Sequence, residues 1–353
     1  MKIKKYLKTS FIFLFTCSLL VSCNVDEVDV TRKPFVPGEV ENPETIAQVI
    51  IKDPNFSILE SLMRRIEAAA INPSGRIITN LNVPGNNTVF APTDAAFTDF
   101  MQANNITDLN KLPIELVTSL VYYHIKTGKF LTTDLTTGFV PTQATRGTGT
   151  NLVYLSMYIN TNSGVVLNNT AKVVSSNTNV NNGIIHTVDA VVKVPTVQDL
   201  IALNPETSSF AAAVVRGDTD LATPVVGDAI ANTSASVTVF APSNTAFINV
   251  LTELGISSIQ DLPTTQVANI TKIHVVSTVT TTPAISSNLF VSRTNAKLQT
   301  ILAGTPGQIN FNGTTRTIKD QRARTGNIVP LIDIQGSNGV LHTLDKVLLP
   351  LTL

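Results

Sequence analysis

Thr88-Val89-Phe90-Ala91-Pro92-Thr93-Asp94-Ala95-Ala96-Phe97 returns later in the chain as Thr238-Val239-Phe240-Ala241-Pro242-Ser243-Asn244-Thr245-Ala246-Phe247. A short apolar run closed by proline is a buried strand, and the Thr or Ser after it is a helix N-cap that sends Phe97 or Phe247 inward. Working outward, the neighbouring segments return in the same order. Thr45-Ile46-Ala47-Gln48-Val49-Ile50, ending in Asp53-Pro54, matches Thr196-Val197-Gln198-Asp199-Leu200-Ile201, ending in Asn204-Pro205. Leu112-Pro113 matches Leu262-Pro263, and His124 matches His274. Asn182-Gly183-Ile184-Ile185-His186-Thr187-Val188-Asp189 matches Asn338-Gly339-Val340-Leu341-His342-Thr343-Leu344-Asp345. The copies close on Pro195 and Pro350, and the second starts at Thr196 without a spacer. Two abutting domains are expected, 44–195 and 196–353, held at a fixed angle.

Each copy mixes helix and strand signals. Thr45 with Gln48 and Thr196 with Asp199 predict capping boxes, each opening an amphipathic helix. A second helix is predicted from Phe56 through Ile66, with its counterpart from Phe210 to Arg216. Asn312-Gly313-Thr314 predicts a hairpin turn between Ile309–Phe311 and Thr315–Ile318, and Asn168-Asn169 marks a weaker equivalent. In the closing strand Ile184, His186 and Val188 share one face, with Ile185, Thr187 and Asp189 on the other. The fold class is α+β.

The chain has 353 residues, 43% of them hydrophobic and only 14% charged against a usual share of about 25%. A sizeable core is affordable, and disorder as the main state is excluded. The first 22 residues hold Lys2, Lys4, Lys5 and Lys8, no acid, and an apolar run from Phe11 to Val21. That pattern predicts a signal peptide over 1–22. Without it, 21 basic residues face 25 acidic ones, a balance that argues against nucleic acid as a partner. Leu20-Val21-Ser22-Cys23 resembles the bacterial lipobox, which implies diacylglycerol on Cys23 and a membrane attachment through that lipid. Cys17 is the only other cysteine, so no disulfide scaffold is available. Residues 23–43 are polar and proline-punctuated, a flexible tether. Its Asp26-Glu27-Val28-Asp29 is either an ordinary solvated linker or similar to the acidic signal that sends some bacterial lipoproteins to the outer face of the outer membrane.

The repeated motifs, together with Tyr123-His124, resemble those of the fasciclin family over about residues 44–351. The resemblance implies two tandem fasciclin-like domains, each a β-wedge or sandwich with packed helices, and a role in adhesion rather than catalysis. In animal members an Asp-Ile pair and the Tyr-His pair are implicated in integrin-type adhesion. Here the second copy has Asp333-Ile334 but Ile273-His274, whereas the first has Tyr123-His124 but Asn177-Thr178. Neither copy carries both.

No catalytic residue, metal site or cofactor is expected. His124, His186, His274 and His342 lie inside the repeated motifs and show no metal-ligand spacing, and no Gly-x-Ser-x-Gly elbow accompanies them. They, with Asp189 and Asp345, are assigned to the framework, their polar atoms satisfying neighbouring backbone groups. Arg216-Gly217-Asp218 is expected to end a helix with Gly217 as a left-handed cap. Asn168 and Asn182 stand 14 residues apart, Asn312 and Asn338 26 apart, so the second copy carries an insertion. That segment holds Arg316, Lys319, Arg322 and Arg324, either a solvated loop or a site for an anionic ligand. Tyr122, Tyr123, Tyr154 and Tyr158 all fall in the first copy, so if either copy stacks on a ligand it is expected to be the first. The function expected is a non-catalytic, lipid-anchored envelope protein that binds surface or matrix polysaccharide or protein. Outer-membrane anchoring with surface exposure is expected, and the periplasmic face is the other placement. The alternative is an accessory subunit docking onto an outer-membrane transport or assembly complex.

Overall fold

A computed structural model describes residues 44–70, 75–147, 152–221, 225–278, 296–330 and 333–351. The signal peptide, Cys23 and the tether lie outside the described residues. In the first copy the helices are α1 (Ile46–Lys52), α2 (Ser57–Ala69), α3 (Ile77–Asn80), α4 (Asp94–Ala103) and α5 (Ile114–Tyr123). Its strands are β1 (Asn87–Pro92), β2 (Ile125–Thr127), β3 (Gly138–Arg146), β4 (Val153–Asn160), β5 (Val166–Leu167), β6 (Ala171–Val180) and β7 (Gly183–Val188). The second copy repeats the helical order as α6 (Val197–Leu203), α7 (Ser208–Asp218), α8 (Val226–Ala231), α9 (Asn244–Leu254) and α10 (Thr264–Lys272). Its strands are β8 (Ser236–Pro242), β9 (Val275–Thr278), β10 (Ala296–Gln299), β11 (Gln308–Asn312), β12 (Thr317–Lys319), β13 (Thr325–Asn327), β14 (Ile334–Gly336) and β15 (Gly339–Leu344). The architecture is α+β, in two tandem units.

Both predicted capping boxes form: Thr45 with Gln48 and Thr196 with Asp199. Asp53 and Asn204 then cap short 3-10 turns that begin on Pro54 and Pro205. The predicted second helix starts at Ser57, because Phe56 completes the 3-10 turn ahead of it; Leu59, Leu62, Met63 and Ile66 form its buried face.

Strand β1 explains why its motif is apolar throughout. Val89 and Ala91 pack among the helices, while Phe90, on the opposite face, enters a second cluster with Leu155, Met157 and Ile159. Val239, Ala241 and Phe240 divide in the same way. Each strand is thus a wedge between two cores, and one Phe of this kind contributes about 2–3 kcal/mol through burial. β1 runs parallel to β7 with Phe90 opposite His186, and β8 runs parallel to β15 with Phe240 opposite His342.

The sheets differ between the copies. The first is one seven-stranded sheet, ordered β2-β1-β7-β6-β5-β4-β3. Among the described residues the second is two four-stranded sheets, β14-β15-β8-β9 and β10-β11-β12-β13. The break falls at the insertion: where the long, twice-bulged β6 carries the first sheet across, the second copy has β12, β13 and β14.

Two local expectations need correction. The hairpin between β11 and β12 pairs Asn312 with Thr317, so its turn spans Gly313 to Arg316, longer than the short Asn-Gly turn expected. Asn312 Oδ1 accepts from the N–H groups of Thr314 and Thr315, and Arg316 takes the positive φ of 54°. Gly217 is not a left-handed cap. It lies inside α7, and a Cβ there would stand 2.9 Å from the Ala268 Cα, so glycine is needed for close approach of α10.

The described residues form one compact unit. At the seam between copies the Gln335 N–H donates to Ser156 Oγ at 3.0 Å, Ser337 N–H to the Pro195 carbonyl at 2.8 Å, and Phe139 packs against the helical core of the second copy.

Candidate functional site

Helix α5 ends on the Tyr-His pair. Tyr123 is fully buried; its hydroxyl donates to the Ser156 carbonyl at 2.6 Å and accepts from Asn168 Nδ2 at 3.0 Å. Burial pushes its phenol well above the ordinary tyrosine range. His124 Nδ1 donates to the Leu120 carbonyl at 2.8 Å, and its Nε2 accepts from Val192 N–H at 2.9 Å. His274 repeats this with the Ile270 carbonyl at 2.6 Å and Leu348 N–H at 2.9 Å. Each ring satisfies a carbonyl left open at a helix end and ties that helix to the segment closing its copy. Burial lowers both imidazoles to about 4, so they are neutral at neutral pH, with both nitrogens occupied.

The other two histidines lie beneath aromatic rings, His186 stacked on Phe90 at 5.4 Å and His342 on Phe240 at 5.5 Å. His186 Nδ1 accepts from Asn177 N–H at 3.1 Å, and its Nε2 donates to the Phe130 carbonyl at 3.0 Å. Burial lowers its pKa. In the second copy Asp333 Oδ1 stands 3.1 Å from His342 Nδ1. A ring nitrogen that accepts from a backbone donor in one copy therefore faces a carboxylate in the other. Asp189 accepts from Lys172 N–H at 2.7 Å, and Asp345 from Asn327 N–H at 2.7 Å.

The remaining sequence candidates are not assembled as sites. Ile334 is a core residue at 2% exposure, whereas the Asp333 side chain is 41% exposed, so the Asp-Ile pair is not displayed as a unit. Asp218 is buried and accepts from the N–H groups of Val225, Val226 and Gly227, capping α8. Arg216-Gly217-Asp218 is therefore a framework element, not an exposed tripeptide. The basic segment folds around the buried Asp320, which accepts from Arg322 N–H, Arg324 N–H and Leu349 N–H. Arg322 Nε donates to the Pro350 carbonyl, and Arg324, 10% exposed, pairs with Glu253 at 3.0 Å. Arg316 sits in the hairpin turn and Lys319 on an exposed strand position, so the four cations do not converge.

The hollows that hold the exposed tyrosine lie on the first copy. A groove of about 760 Å³ is lined by Tyr122, Tyr154 and Leu152 together with Asn80, Glu115 and Gln143. A second hollow of about 440 Å³ shares Leu152 and Tyr154 and continues over Pro141 and Ser156 to Asp333 and Gln335 of the second copy. Tyr154 is 56% exposed. Tyr122 is half-buried, and burial raises its pKa. The residue at the position of Tyr122 in the second copy is Lys272.

Sequence reasoning missed the role of several polar residues. Asn182 Oδ1 accepts from Ile46 N–H while its Nδ2 donates to the Leu81 and Val83 carbonyls. Asn338 does the same with Val197 N–H and the Ile230 and Asn232 carbonyls. A Cβ on Gly183 or Gly339 would collide with the carbonyl of Asn87 or Val237. Asp94 and Asn244, in the first motif, cap α2 and α7 through the N–H groups of Ile58 and Ser209. The signal was present, since all these residues recur in both copies. The groove left only the uneven distribution of tyrosine.

Taken together, the molecule is a pair of like α+β domains whose repeated polar residues hold the frame and whose Tyr122–Tyr154 groove is lined by the first copy. The model of the Fasciclin domain family matches residues 65–195 and 206–350, and the chain belongs to that family. Human periostin is 27% identical over 271 residues, covering 75% of this chain and 28% of periostin. The pig transforming growth factor-beta-induced protein ig-h3 is 26% identical over 276 residues, covering 76% of this chain and 35% of that protein. The chain thus spans about a third of the length of these relatives. A solved FAS1 domain pair from the insect cell adhesion molecule fasciclin I aligns at 17% identity with a TM-score of 0.48, covering 84% of this chain and 97% of that one.

Proposed function

We propose that this protein is a non-catalytic binding and adhesion module of a bacterial cell envelope, anchored in the outer membrane through a lipid on Cys23, and that its ligand is a surface or matrix polysaccharide or protein. The observation that carries the reading is the Tyr122–Tyr154 groove, where an exposed aromatic ring and a set of amide, hydroxyl and carboxylate groups line one hollow. Aromatic rings with one apolar face and one polar edge are the side chains that bind at low conformational cost. The residues that catalysis would draw on support it from the other side. His124, His186 and His274 have both nitrogens bonded to backbone groups, which leaves them without a free lone pair or proton for chemistry. Deleting the gene and measuring attachment of cells to matrix-coated surfaces tests the reading, with protease digestion of intact and lysed cells alongside. Weaker attachment with digestion on intact cells is expected. Unchanged attachment, with protection that disappears only on lysis, contradicts it.

A further inference from the structure

The two hollows meet at Tyr154 and Leu152, which line both. They form one trough that starts between α2 and α5, crosses the β3–β4 face and ends on β14 of the second copy. Three features of the trough describe an occupant. Its seam is an exposed tyrosine ring, a platform for the C–H face of a flat, partly apolar ring. Its charged lining among the described residues is Glu115 at one end and Asp333 at the other, with no Lys or Arg in either hollow. Two carboxylates disfavour an anionic polymer and accept readily from hydroxyl groups. Finally, Gln335 is 4% exposed, and its Nε2 lacks an acceptor although its Oε1 receives Arg146 at 3.3 Å. A buried donor without an acceptor is costly, and it marks the far end of the trough as a place where a ligand oxygen is wanted.

We propose that the trough is a single binding site for a linear, neutral polysaccharide, with one sugar ring stacked on Tyr154 and the chain continuing onto Asp333 and Gln335 of the second copy. The inference rests on the binding-module reading above and narrows its ligand. It also gives the second copy a share in the site, so that neither domain is a mere spacer. Glu115 and Asp333 line different hollows, which favours an extended chain over a monosaccharide, since a chain can engage both carboxylates at once.

Affinity electrophoresis of the full chain through gels containing mixed-linkage β-glucan, xyloglucan or dextran, with polygalacturonate as the acidic counterpart, tests the proposal. Retardation by at least one neutral polymer and none by polygalacturonate is expected. Tyr154→Ala is expected to weaken binding at least tenfold without lowering the melting temperature, because the ring is exposed. Glu115→Gln and Asp333→Asn are expected to weaken it a few-fold each, from opposite ends. Retardation by polygalacturonate alone overturns the proposal, as does a Tyr154→Ala variant that binds normally. An Asp333→Asn variant that binds as well as the parent overturns the span across both copies. Binding to a matrix protein with no polysaccharide retained overturns this inference while the adhesion reading stands.

Discussion

The two copies answer the same structural demands with different surfaces. His124 and His274, Asn182 and Asn338, Asp189 and Asp345 make the same kinds of bonds in each copy. The third helix is capped in each by an acid from the helix before it, Glu67 through Ile78 N–H in the first and Asp218 through Val226 N–H in the second. Outside that frame the copies diverge. The first keeps a continuous sheet, all the tyrosines of the described residues and the Tyr122–Tyr154 groove; the second splits its sheet, ties Arg322 to the Pro350 carbonyl and Arg324 to Glu253, and sets Asp333 against His342. The lesson is that repetition marks what holds the fold, and that binding chemistry is to be sought where the copies disagree.

The largest effects are expected where the copies agree most closely. Gly183→Ala and Gly339→Ala each drive a Cβ into a backbone carbonyl of the neighbouring strand, and urea melts are expected to show losses above about 3 kcal/mol for both. Tolerance at one site alone breaks the equivalence of the copies.

Next come the paired histidines. Their folded pKa of about 4 lies below the ordinary 6.5, so between these values the unfolded chain binds protons that the folded chain excludes. Stability is then level above about pH 6.5 and falls as the pH drops towards 4, by up to about 3 kcal/mol per histidine. Melting curves across that range are expected to show a shallower fall in His124→Gln or His274→Gln. An unchanged slope in either variant contradicts their burial as neutral rings.

A smaller loss, about 1–2 kcal/mol, is expected for Glu67→Ala and Asp218→Ala, which remove the acid capping the third helix of each copy. Attachment by Asp218→Ala cells is expected to track protein level alone; a selective loss of adhesion in a fully folded variant contradicts the framework role of Arg216-Gly217-Asp218. Least of all, Asp333→Asn is expected to cost under about 1 kcal/mol of stability, because its carboxylate is 41% exposed and screened by water. A larger loss in thermal melts makes the pair with His342 a structural clamp.

Much of the frame was legible in the sequence because it rests on local rules. Thr45 and Thr196 announce their helices through side-chain reach to the third residue, and Phe90 and Phe240 announce buried strands by sitting in apolar runs. His124, His186 and His274 bond backbone groups through both nitrogens, as their place inside those runs suggests, whereas His342 stands against Asp333 instead. Gly217 was misread, since close approach of α10 depends on a contact some fifty residues away that no local pattern encodes. The fate of Arg322 and Arg324 was equally hidden: charge runs say nothing of Pro350 or Glu253 until the chain has folded around Asp320. The groove was half legible. Tyrosine counts pointed to the first copy, but Tyr123 and Tyr158 are core residues, and only burial separates them from Tyr154.

The central claim is that the repeated motifs hold the fold while the trough at Tyr154 binds. Hydrogen–deuterium exchange of the full chain with and without a saturating neutral polysaccharide tests it most directly. Slower exchange is predicted in α5, β3, β4 and β14, with no change in α10 or along β12 and β13. Protection centred on residues 316–324 or 216–218, with the β3–β4 face unaltered, would contradict it.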